Sequence, residues 1–310
     1  MNSVLLIDKP AGQTSFDTIS ILKRILKTKK IGHSGTLDKF ASGLLIICTG
    51  WATKLTRYFL ESDKRYIGTV KLGITTDTDD LTGNIIENKE VKTLDPEDIY
   101  NLPGKFTGES YQLPPLYSAL KINGRRASDL TREGKNISLN RRKININKLD
   151  ILKIDLDNST VEIDVTCSKG TYIRSLARDI GEYLGTGAHL AGLRRIASGN
   201  FTIENAATID EVIKSEGNSC TTKDKKFLLR PEEALSTFSS IIIKNIIIKK
   251  IVNGAFFDKK DVIEIRDRKR NPFIILDEEE NLIAIADIDI DNWLIKYLNV
   301  FNRNTEFLKF

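Results

Sequence analysis

The stretch VEIDVTCSKGTYIRSLARDIGEYL, residues 161–184, contains the pattern that decides the fold class. Its first part alternates apolar and polar residues with a period of two, as a strand does when one of its faces is buried. After the turn at residues 168–170 the apolar residues recur at helical spacing, at Ile173, Leu176, Ala177, Ile180 and Leu184. A strand followed at once by an amphipathic helix predicts a unit that mixes both element types.

Similar elements extend toward the N-terminus. Residues 4–7 and 44–48 are short apolar runs, typical of buried strands, and a strand beginning near Tyr66 has its apolar residues at alternate positions through Ile74. Helical spacing follows Thr14 and Ser15, either of which can cap a helix. Because long loops and alternating strands separate these elements, we expect an α/β (α+β) fold with a mixed, largely antiparallel sheet.

The C-terminal part of the chain has a different pattern. Residues 205–231 are polar and irregular, as expected for a link between domains. Beyond them, short Ile-rich runs separated by turns predict a small β-barrel. A chain of 310 residues suggests about two domains. We therefore place a large domain at residues 1–235 and a small one at residues 236–310.

Composition excludes several classes of protein. Hydrophobic residues make up 40% of the chain and charged residues 29%, as in ordinary globular proteins. The three cysteines and two histidines are too few and too widely spaced for a disulfide framework or a metal site. No apolar run reaches the ~20 residues of a membrane span, and no signal peptide is recognisable. We therefore predict a cytoplasmic protein without metal or membrane association.

The net charge of +5 is unevenly distributed. Residues 1–60 carry a net charge of +6, residues 61–120 carry −5, residues 121–153 carry +7, and residues 201–310 carry −2. Basic blocks that are separate in sequence can converge into one face for a polyanion. Solvated surfaces explain the same charges, so both interpretations remain open on charge alone.

The densest group of candidate functional residues is GHSGTLDKFASGLL, residues 32–45. Its glycines and hydroxyl residues surround one carboxylate, Asp38, in a loop that lets backbone approach a ligand. An Asp in such a loop is more often a turn former, but polyanion binding alone would favour Asn there. A carboxylate pair for glycoside hydrolysis is an alternative, with Asp77, Asp79 or Asp80 as the second acid, although TDTDD is equally a solvated turn.

Five motifs occur in order along the chain. They are DKPAGQTS (8–15), GHSGTLDKFASGLL (32–45), KRYIGTVKLGITTDTDDLTG (64–83), YQLPPLYSALKINGRR (111–126) and CSKGTYIRSLARDIGEYLGTGAHLAGLRRIASGNF (167–201). Together they resemble the bacterial TruB family, the tRNA pseudouridine synthases that isomerise the T-loop uridine at position 55. The resemblance covers roughly residues 3–203; the C-terminal part resembles the family's PUA-like RNA-binding domain more loosely.

The resemblance implies a mechanism of base flipping, N-glycosidic cleavage, base rotation and C5–C1′ bond formation, without a cofactor. It makes Asp38 the catalytic residue, either as a nucleophile on C1′ or as a base on the C2′ proton. It makes Tyr66 the residue that packs on the flipped base and helps to remove the C5 proton, although a core aromatic would fit the same strand. Arg174 would pair with the catalytic carboxylate. Since Arg178 lies one helical turn away, the two guanidinium groups repel each other and favour acidic partners or RNA nearby.

The resemblance also implies residues that bind the substrate. Tyr172 and Leu193 would line the uracil pocket, and His33 would help to hold the displaced nucleotide out of the T-loop. Residues 121–153 fall where the family has an insertion that grips RNA. We expect contacts to the RNA backbone from Lys9, Lys121, Arg125, Arg126, Arg141 and Arg142. Two departures from the family's motif are Lys39 in place of a proline and Ser34 in place of a threonine, and neither removes a catalytic group.

The expected partner is the T-arm of tRNA, bound by a monomer without a guide RNA. A guide-dependent relative is less favoured, because the chain has its own RNA-gripping insertion. The alternative outside enzymology is a tRNA-binding or tRNA-folding chaperone module, for which Asp38 would be dispensable.

Overall fold

The computed structural model describes residues 2–91, 94–118, 120–122, 124–135, 137–216, 226–267 and 271–301. The strands of the larger, N-terminal unit are β1 (Val4–Lys9), β2 (Ile31–His33), β3 (Ser42–Thr49), β4 (Lys64–Leu72), β5 (Ile74–Thr76), β6 (Ile85–Asn88), β7 (Gly108–Gln112), β8 (Lys121–Ile122), β9 (Arg125–Arg126), β10 (Arg142–Asp155), β11 (Thr160–Cys167), β12 (Ala188–Ser198), β13 (Phe201–Thr202) and β14 (Leu228–Leu229). Its helices are α1 (Ser15–Ile25), α2 (Thr56–Leu60), α3 (Pro96–Tyr100), α4 (Leu102–Phe106), α5 (Ala127–Arg132), α6 (Ile173–Tyr183), α7 (Ile209–Glu216) and α8 (Pro231–Ala234).

Ten of the strands in the described ranges form one sheet. Its main path runs β14-β1-β3-β12-β4-β11-β10-β7, with β2 attached to β3 and β13 attached to β12. Neighbouring strands are antiparallel, whereas β12 runs parallel to β3. The predicted mixed, largely antiparallel sheet is therefore confirmed.

The elements with the clearest apolar period are present. Thr14 caps α1, because its hydroxyl accepts from Asp17 N at 3.1 Å while Asp17 Oδ2 accepts from Thr14 N at 2.9 Å. The apolar stripe of α6 is buried as predicted. β4 buries alternate residues through Leu72, but Gly73, at φ 86°, then turns the chain, so Ile74 begins β5 instead of continuing the strand.

Two segments predicted to lie outside the main sheet contribute to it. β10 begins at Arg142 and pairs with β7 and β11, so residues 142–153 belong to the main sheet. The RNA-gripping role of residues 121–153 stays a prediction. Basic neighbours obscured the apolar period of its buried Ile144 and Ile146. Residues 205–231, predicted as a link, contain α7 and also β14, which pairs with β1.

The smaller C-terminal unit contains β15 (Ser240–Ile243), β16 (Val262–Arg266), β17 (Phe273–Leu276), β18 (Leu282–Asp289) and β19 (Leu294–Val300), with helix α9 (Ile248–Val252). Over its described residues these strands form a sheet in the order β16-β15-β17-β18-β19, and no pairing joins β16 to β19. The Ile-rich strands are confirmed, whereas closure into a barrel stays a prediction.

One hydrophobic cluster extends across the predicted domain boundary at residue 235. It includes side chains from β3 and from the C-terminal unit, among them Leu44, Ile46, Cys48, Ile274, Ile285 and Phe301. The opposite face of β3 packs into a second cluster, in which Leu45 and Ile47 lie with Leu37 and Ala41 of the β2–β3 loop. β3 thus separates the C-terminal unit from the loop that carries Asp38.

Candidate active site

A cleft of about 290 Å³ opens beside the β2–β3 loop. Five of the predicted functional residues line it: Asp38, Tyr66, Tyr172, Arg174 and Leu193. They come from the β2–β3 loop, β4, the beginning of α6, and β12. The fold therefore brings together residues that are up to 155 positions apart in the sequence, around a cavity close in size to a small-ligand site.

The loop that carries Asp38 is fastened to α1 and to the turn before it. Leu37 N donates to Ser15 Oγ at 2.9 Å, and Gly12 N donates to Lys39 O at 2.8 Å. The loop is therefore anchored through the backbone carbonyl of Lys39, the residue that stands where the resemblance predicted a proline. The Asp38 side chain keeps 38% of its surface exposed, at the cleft.

Lys9 does not have the predicted role of a phosphate contact. Its side chain is fully buried, and Nζ donates to the carbonyls of Pro10, Gln13 and Ala41 at 2.8, 2.7 and 2.6 Å. Burial lowers the pKa of Lys9 to about 8, although the charge of Asp38 opposes this shift. The predicted RNA contact is wrong for Lys9, because a buried ammonium with three carbonyl acceptors is inaccessible to a phosphate. The Lys9 ammonium instead joins the turn after β1 to the loop that carries Asp38.

Arg174 connects Asp38 to a second carboxylate. Its Nε lies 3.0 Å from Asp38 Oδ2, and its Nη1 lies 3.3 Å from Asp80 Oδ2. Nη1 also donates to Thr78 O and Nη2 to Tyr117 O, each at 3.1 Å. The Arg174 side chain is only 6% exposed. These four groups fix the plane of the guanidinium, and its Nη2 donates to Asp38 Oδ1 at 3.4 Å.

Asp80 is a site residue that sequence analysis named only as one of three possible acids for glycoside hydrolysis, not as a partner of Arg174. Its side chain is 5% exposed, so it is not part of a solvated turn. Besides facing Arg174 it accepts at Oδ1 from Thr82 N at 2.9 Å and from the hydroxyls of Thr78 and Thr82 at 2.8 and 2.6 Å. Sequence alone does not distinguish Asp77, Asp79 and Asp80. Asp80 is the acid that pairs with Arg174, because α6 places Arg174 beside it.

The predicted acidic partners of the two α6 arginines are present. Arg178 Nη1 lies 2.8 Å from Asp79 Oδ2, and its Nη2 lies 2.8 Å from Asp179 Oδ1. Together with Asp80 at Arg174, these contacts compensate the repulsion between the two guanidinium groups. The Arg174–Arg178 spacing was therefore a sequence signal for acidic partners or RNA nearby, and the structure identifies the acids as Asp79 and Asp80.

Opposing effects act on the ionisation of Asp38. Burial raises the pKa of its carboxyl, the Arg174 guanidinium lowers it, and the charge of Asp80 raises it further. Arg174 therefore stabilises the ionised carboxylate, the form that a nucleophile or a base requires.

Tyr172 and Tyr66 are held in different ways. Tyr172 is the N-cap of α6, directly before its first residue, and the Gln112 amide accepts from Tyr172 N at 2.9 Å and donates to Tyr172 O at 3.1 Å. Tyr66 lies on β4, and Leu193 lies on the neighbouring β12. Burial raises the pKa of both phenols, which favours the neutral hydroxyl in each.

His33 is placed beside the site and not in its lining. It is the last residue of β2 and lies opposite Ile47 of β3, two positions before Gly35, which lines the cleft. Burial, together with the charge of Arg195, lowers the pKa of His33. A neutral imidazole therefore lies behind the loop, and its predicted contact to a displaced nucleotide stays a prediction.

Some of the basic residues expected to contact RNA already form contacts within the protein. Arg125 forms an ion pair with Glu133, and Arg141 donates to Tyr111 O at 3.2 Å. Arg141 and Arg142 are exposed, and the charge of Arg142 acts on Tyr172 at the cleft. The side chains of the other two predicted contacts lie outside the described part of the chain; they are Lys121 and Arg126.

Lys64, Tyr117 and Arg195 also line the cleft, although sequence analysis did not predict them. Lys64 is buried and donates to the carbonyls of Leu60 and Ser62. Lys64 and Arg195 belong to strands, where a cation is normally expected on the solvent face.

In the described ranges, no group of three or more His, Cys, Asp or Glu residues is arranged to hold a metal ion. Nor does any helix there have both the length and the apolar character needed to cross a membrane.

Two family models match the chain. The N-terminal domain of TruB family pseudouridylate synthase matches residues 23–173, and the C-terminal domain of tRNA pseudouridylate synthase B matches residues 174–236. A tRNA pseudouridine synthase B of Clostridioides difficile (strain 630) is 40% identical over 294 residues, which are 94% of this chain and 96% of the relative. That of Clostridium tetani (strain Massachusetts / E88) is 38% identical over 286 residues, covering 92% and 95%.

The fold is also similar to that of a chain in the crystal structure of the archaeal box H/ACA sRNP Nop10–Cbf5 complex. The TM-score is 0.74 at 23% identity, over 97% of this chain and 87% of that chain. At this identity the likeness supports the fold alone. Because the sequence matches extend over almost the whole length and two family models fit consecutive segments, the chain belongs to the TruB family of pseudouridylate synthases.

Proposed function

We propose that the protein converts the T-loop uridine of tRNA, at position 55, into pseudouridine. The observation that supports this most directly is the Asp38 carboxylate held against a buried Arg174 in a cleft that also exposes Tyr66. The relatives named tRNA pseudouridine synthase B support tRNA as the substrate. The reaction is an intramolecular transfer and needs no cofactor.

The chemistry leaves the composition of the substrate unchanged. The N1–C1′ bond breaks, the uracil turns, a C5–C1′ bond forms, C5 loses its proton and N1 gains one. Asp38 either attacks C1′ to form a covalent intermediate or removes the C2′ proton to give a glycal. Either route needs an ionised carboxylate, which Arg174 stabilises. Since a stacked base is out of reach of Asp38, the uridine must first flip into the cleft.

The remaining lining residues have distinct roles in this proposal. Tyr66 packs on the flipped base and assists removal of the C5 proton. Tyr172 and Leu193 bound the uracil pocket, and His33 helps to keep the displaced nucleotide out of the T-loop.

The tRNA is bound through its T-arm by a monomer in the cytoplasm, without a guide RNA. The exposed Arg141 and Arg142 lie near the cleft and contact the RNA backbone, together with Lys121, Arg125 and Arg126. The C-terminal unit, residues 236–310, acts as a PUA-like RNA-binding domain attached to a catalytic domain at residues 1–235.

The test is to incubate the purified protein with a T-arm transcript, without cofactor or guide RNA, and to map pseudouridine in the product. Asp38→Asn should abolish the product while retaining tRNA binding. Asp77→Asn is a matched control, because the Asp77 carboxylate accepts only from Asn84 among the described residues. Full activity of Asp38→Asn would falsify the catalytic assignment and leave the RNA-chaperone alternative. Pseudouridine at another position of the transcript would contradict the assignment of position 55 but not the proposed chemistry.

A further inference from the structure

Arg195 is a buried cation for which the described residues provide no carboxylate partner. It is 2% exposed, and it donates from Nε to Leu44 O at 2.7 Å and from Nη2 to Gly35 O at 3.3 Å. Burying a guanidinium without a counter-charge is unfavourable. A strand residue that keeps this charge beside a catalytic cleft therefore needs an explanation beyond packing.

Strand pairing places Arg195 between the two sides of the site. It lies opposite Tyr66 in the antiparallel β4–β12 pair and opposite Gly43 in the parallel β3–β12 pair. Gly43 has φ 105°, and a Cβ atom there would lie 2.3 Å from the Arg195 carbonyl oxygen. The close approach of β3 to β12 thus fixes the Arg195 backbone, from which the guanidinium reaches the loop that carries Asp38.

The guanidinium also interacts with the Tyr66 phenol, where its charge opposes the increase in pKa that burial causes. The Arg195 side chain therefore acts on the catalytic tyrosine of the proposed function through its charge and bonds to the Gly35 carbonyl, three positions before Asp38. A planar guanidinium donates in several fixed directions at once, which a lysine ammonium cannot reproduce.

We propose that Arg195 is a positioning residue, which sets the separation of the Tyr66 ring from the Asp38 loop because it bonds to Gly35 O of the loop and is paired with Tyr66 across β4 and β12. This rests on the proposed function, in which Tyr66 contacts the base and Asp38 acts on the sugar. The two groups must reach the same nucleotide while the uracil turns, so a small change in their separation slows the reaction. Arg195 lines the cleft but is only 2% exposed, so we expect it to act on the rate rather than on tRNA affinity.

The test compares Arg195→Lys with the native protein in single-turnover pseudouridine formation on a T-arm transcript. Losing one charge-assisted hydrogen bond should slow the reaction by about 10- to 100-fold. The dissociation constant for tRNA should remain at the native value. Arg194→Lys is the matched control on the same strand, because Arg194 pairs with Asp8 and its side chain is 42% exposed; we expect its rate to change by less than about twofold.

A double-mutant cycle with Tyr66→Phe distinguishes positioning from a structural role. If Arg195 acts through the phenol, Arg195→Lys slows Tyr66→Phe much less than it slows the native protein. Arg195→Gln, which keeps a donor without the charge, repeats the cycle should the lysine variant fail to fold. A native rate in Arg195→Lys, fully additive effects, or an equal loss of tRNA affinity would overturn the role.

The outcome also separates this inference from the function on which it rests. A native protein that forms no pseudouridine refutes the proposed function. Pseudouridine formation that stops in Asp38→Asn but continues at the native rate in Arg195→Lys refutes only the role of Arg195.

Discussion

Replacing Asp80 by Asn would test whether the buried acid behind Arg174 is part of the catalytic arrangement. The change keeps the shape of the side chain and removes its charge. Arg174 then loses one of the two carboxylates that orient it, and only Asp38 remains. We expect a folded protein whose pseudouridine formation is about 10- to 100-fold slower, the range for losing a hydrogen bond to a charged group.

The effect on stability follows from the geometry. Two unit charges 3.3 Å apart attract each other by about 5 kcal/mol at an effective dielectric constant of about 20. Desolvation offsets part of this, and removing one partner of a buried pair costs about 3–5 kcal/mol. Arg174 retains Asp38 and the carbonyls of Thr78 and Tyr117. We therefore expect the free energy of unfolding to fall by the lower figure, about 3 kcal/mol.

The assay is a pH profile of the single-turnover rate, combined with urea unfolding. Because the charge of Asp80 raises the pKa of Asp38, Asp80→Asn should lower that pKa and move the acid limb of the profile to lower pH. Asp77→Asn lies in the same turn, but Asp77 is bonded to Asn84. This variant should leave the pH profile and the urea unfolding transition unchanged. An Asp80→Asn protein with the native rate and the native acid limb would refute the reasoning.

Three further predictions concern the loop, the insertion and the strand pairing. The native rate should fall on acidification at a pH above 3.8, the ordinary pKa of an aspartate, because the pKa of Asp38 is raised; a pH–rate profile checks this. Replacing exposed arginines of the proposed RNA surface by Ala should reduce the slope of log affinity for tRNA against log salt by about 0.9 for each phosphate that is no longer neutralised, and an unchanged slope would indicate a solvated surface. The arginines with described side chains are Arg125, Arg141 and Arg142. Gly43→Ala should lower the free energy of unfolding by more than about 1 kcal/mol, because φ is positive and a Cβ meets the Arg195 carbonyl. Gly104→Ala, where a Cβ meets nothing within 4 Å, is the control in urea unfolding and should not destabilise the protein.

The structure confirms those predicted elements in which one face is buried and the apolar residues of that face recur at a regular spacing. In β4 and α6 the apolar residues repeat at the period of the element, so one face is defined by local sequence alone. The cleft residues Asp38, Tyr66 and Arg174 were selected by family motifs, since nothing local distinguishes them from a turn former, a core aromatic and a surface arginine.

The elements that were missed depend on contacts between distant residues. Charged neighbours obscured the period of β10, and β14 is too short to have a period before it pairs with β1. The role of Asp80 is set by the position of α6, about 94 residues away in the sequence. Lys9 was predicted to contact the RNA backbone, and a lysine seldom lies in a core. One of its three carbonyl acceptors, Ala41 O, is 32 positions away and reaches Lys9 only after the β2–β3 loop has folded against it.

The division of β3 into two packed faces has a consequence for the chain as a whole. Its even-numbered residues from Leu44 to Cys48 are covered by the C-terminal unit, and Leu45 and Ile47 support the loop that presents Asp38. A chain ending at residue 235 would expose the first face to water and weaken the strand beneath the loop. We therefore expect the two units to stabilise each other through this shared cluster. It follows that substitutions in the part of the C-terminal unit that covers β3 should affect catalysis through the strand beneath the Asp38 loop, even at positions that never touch RNA.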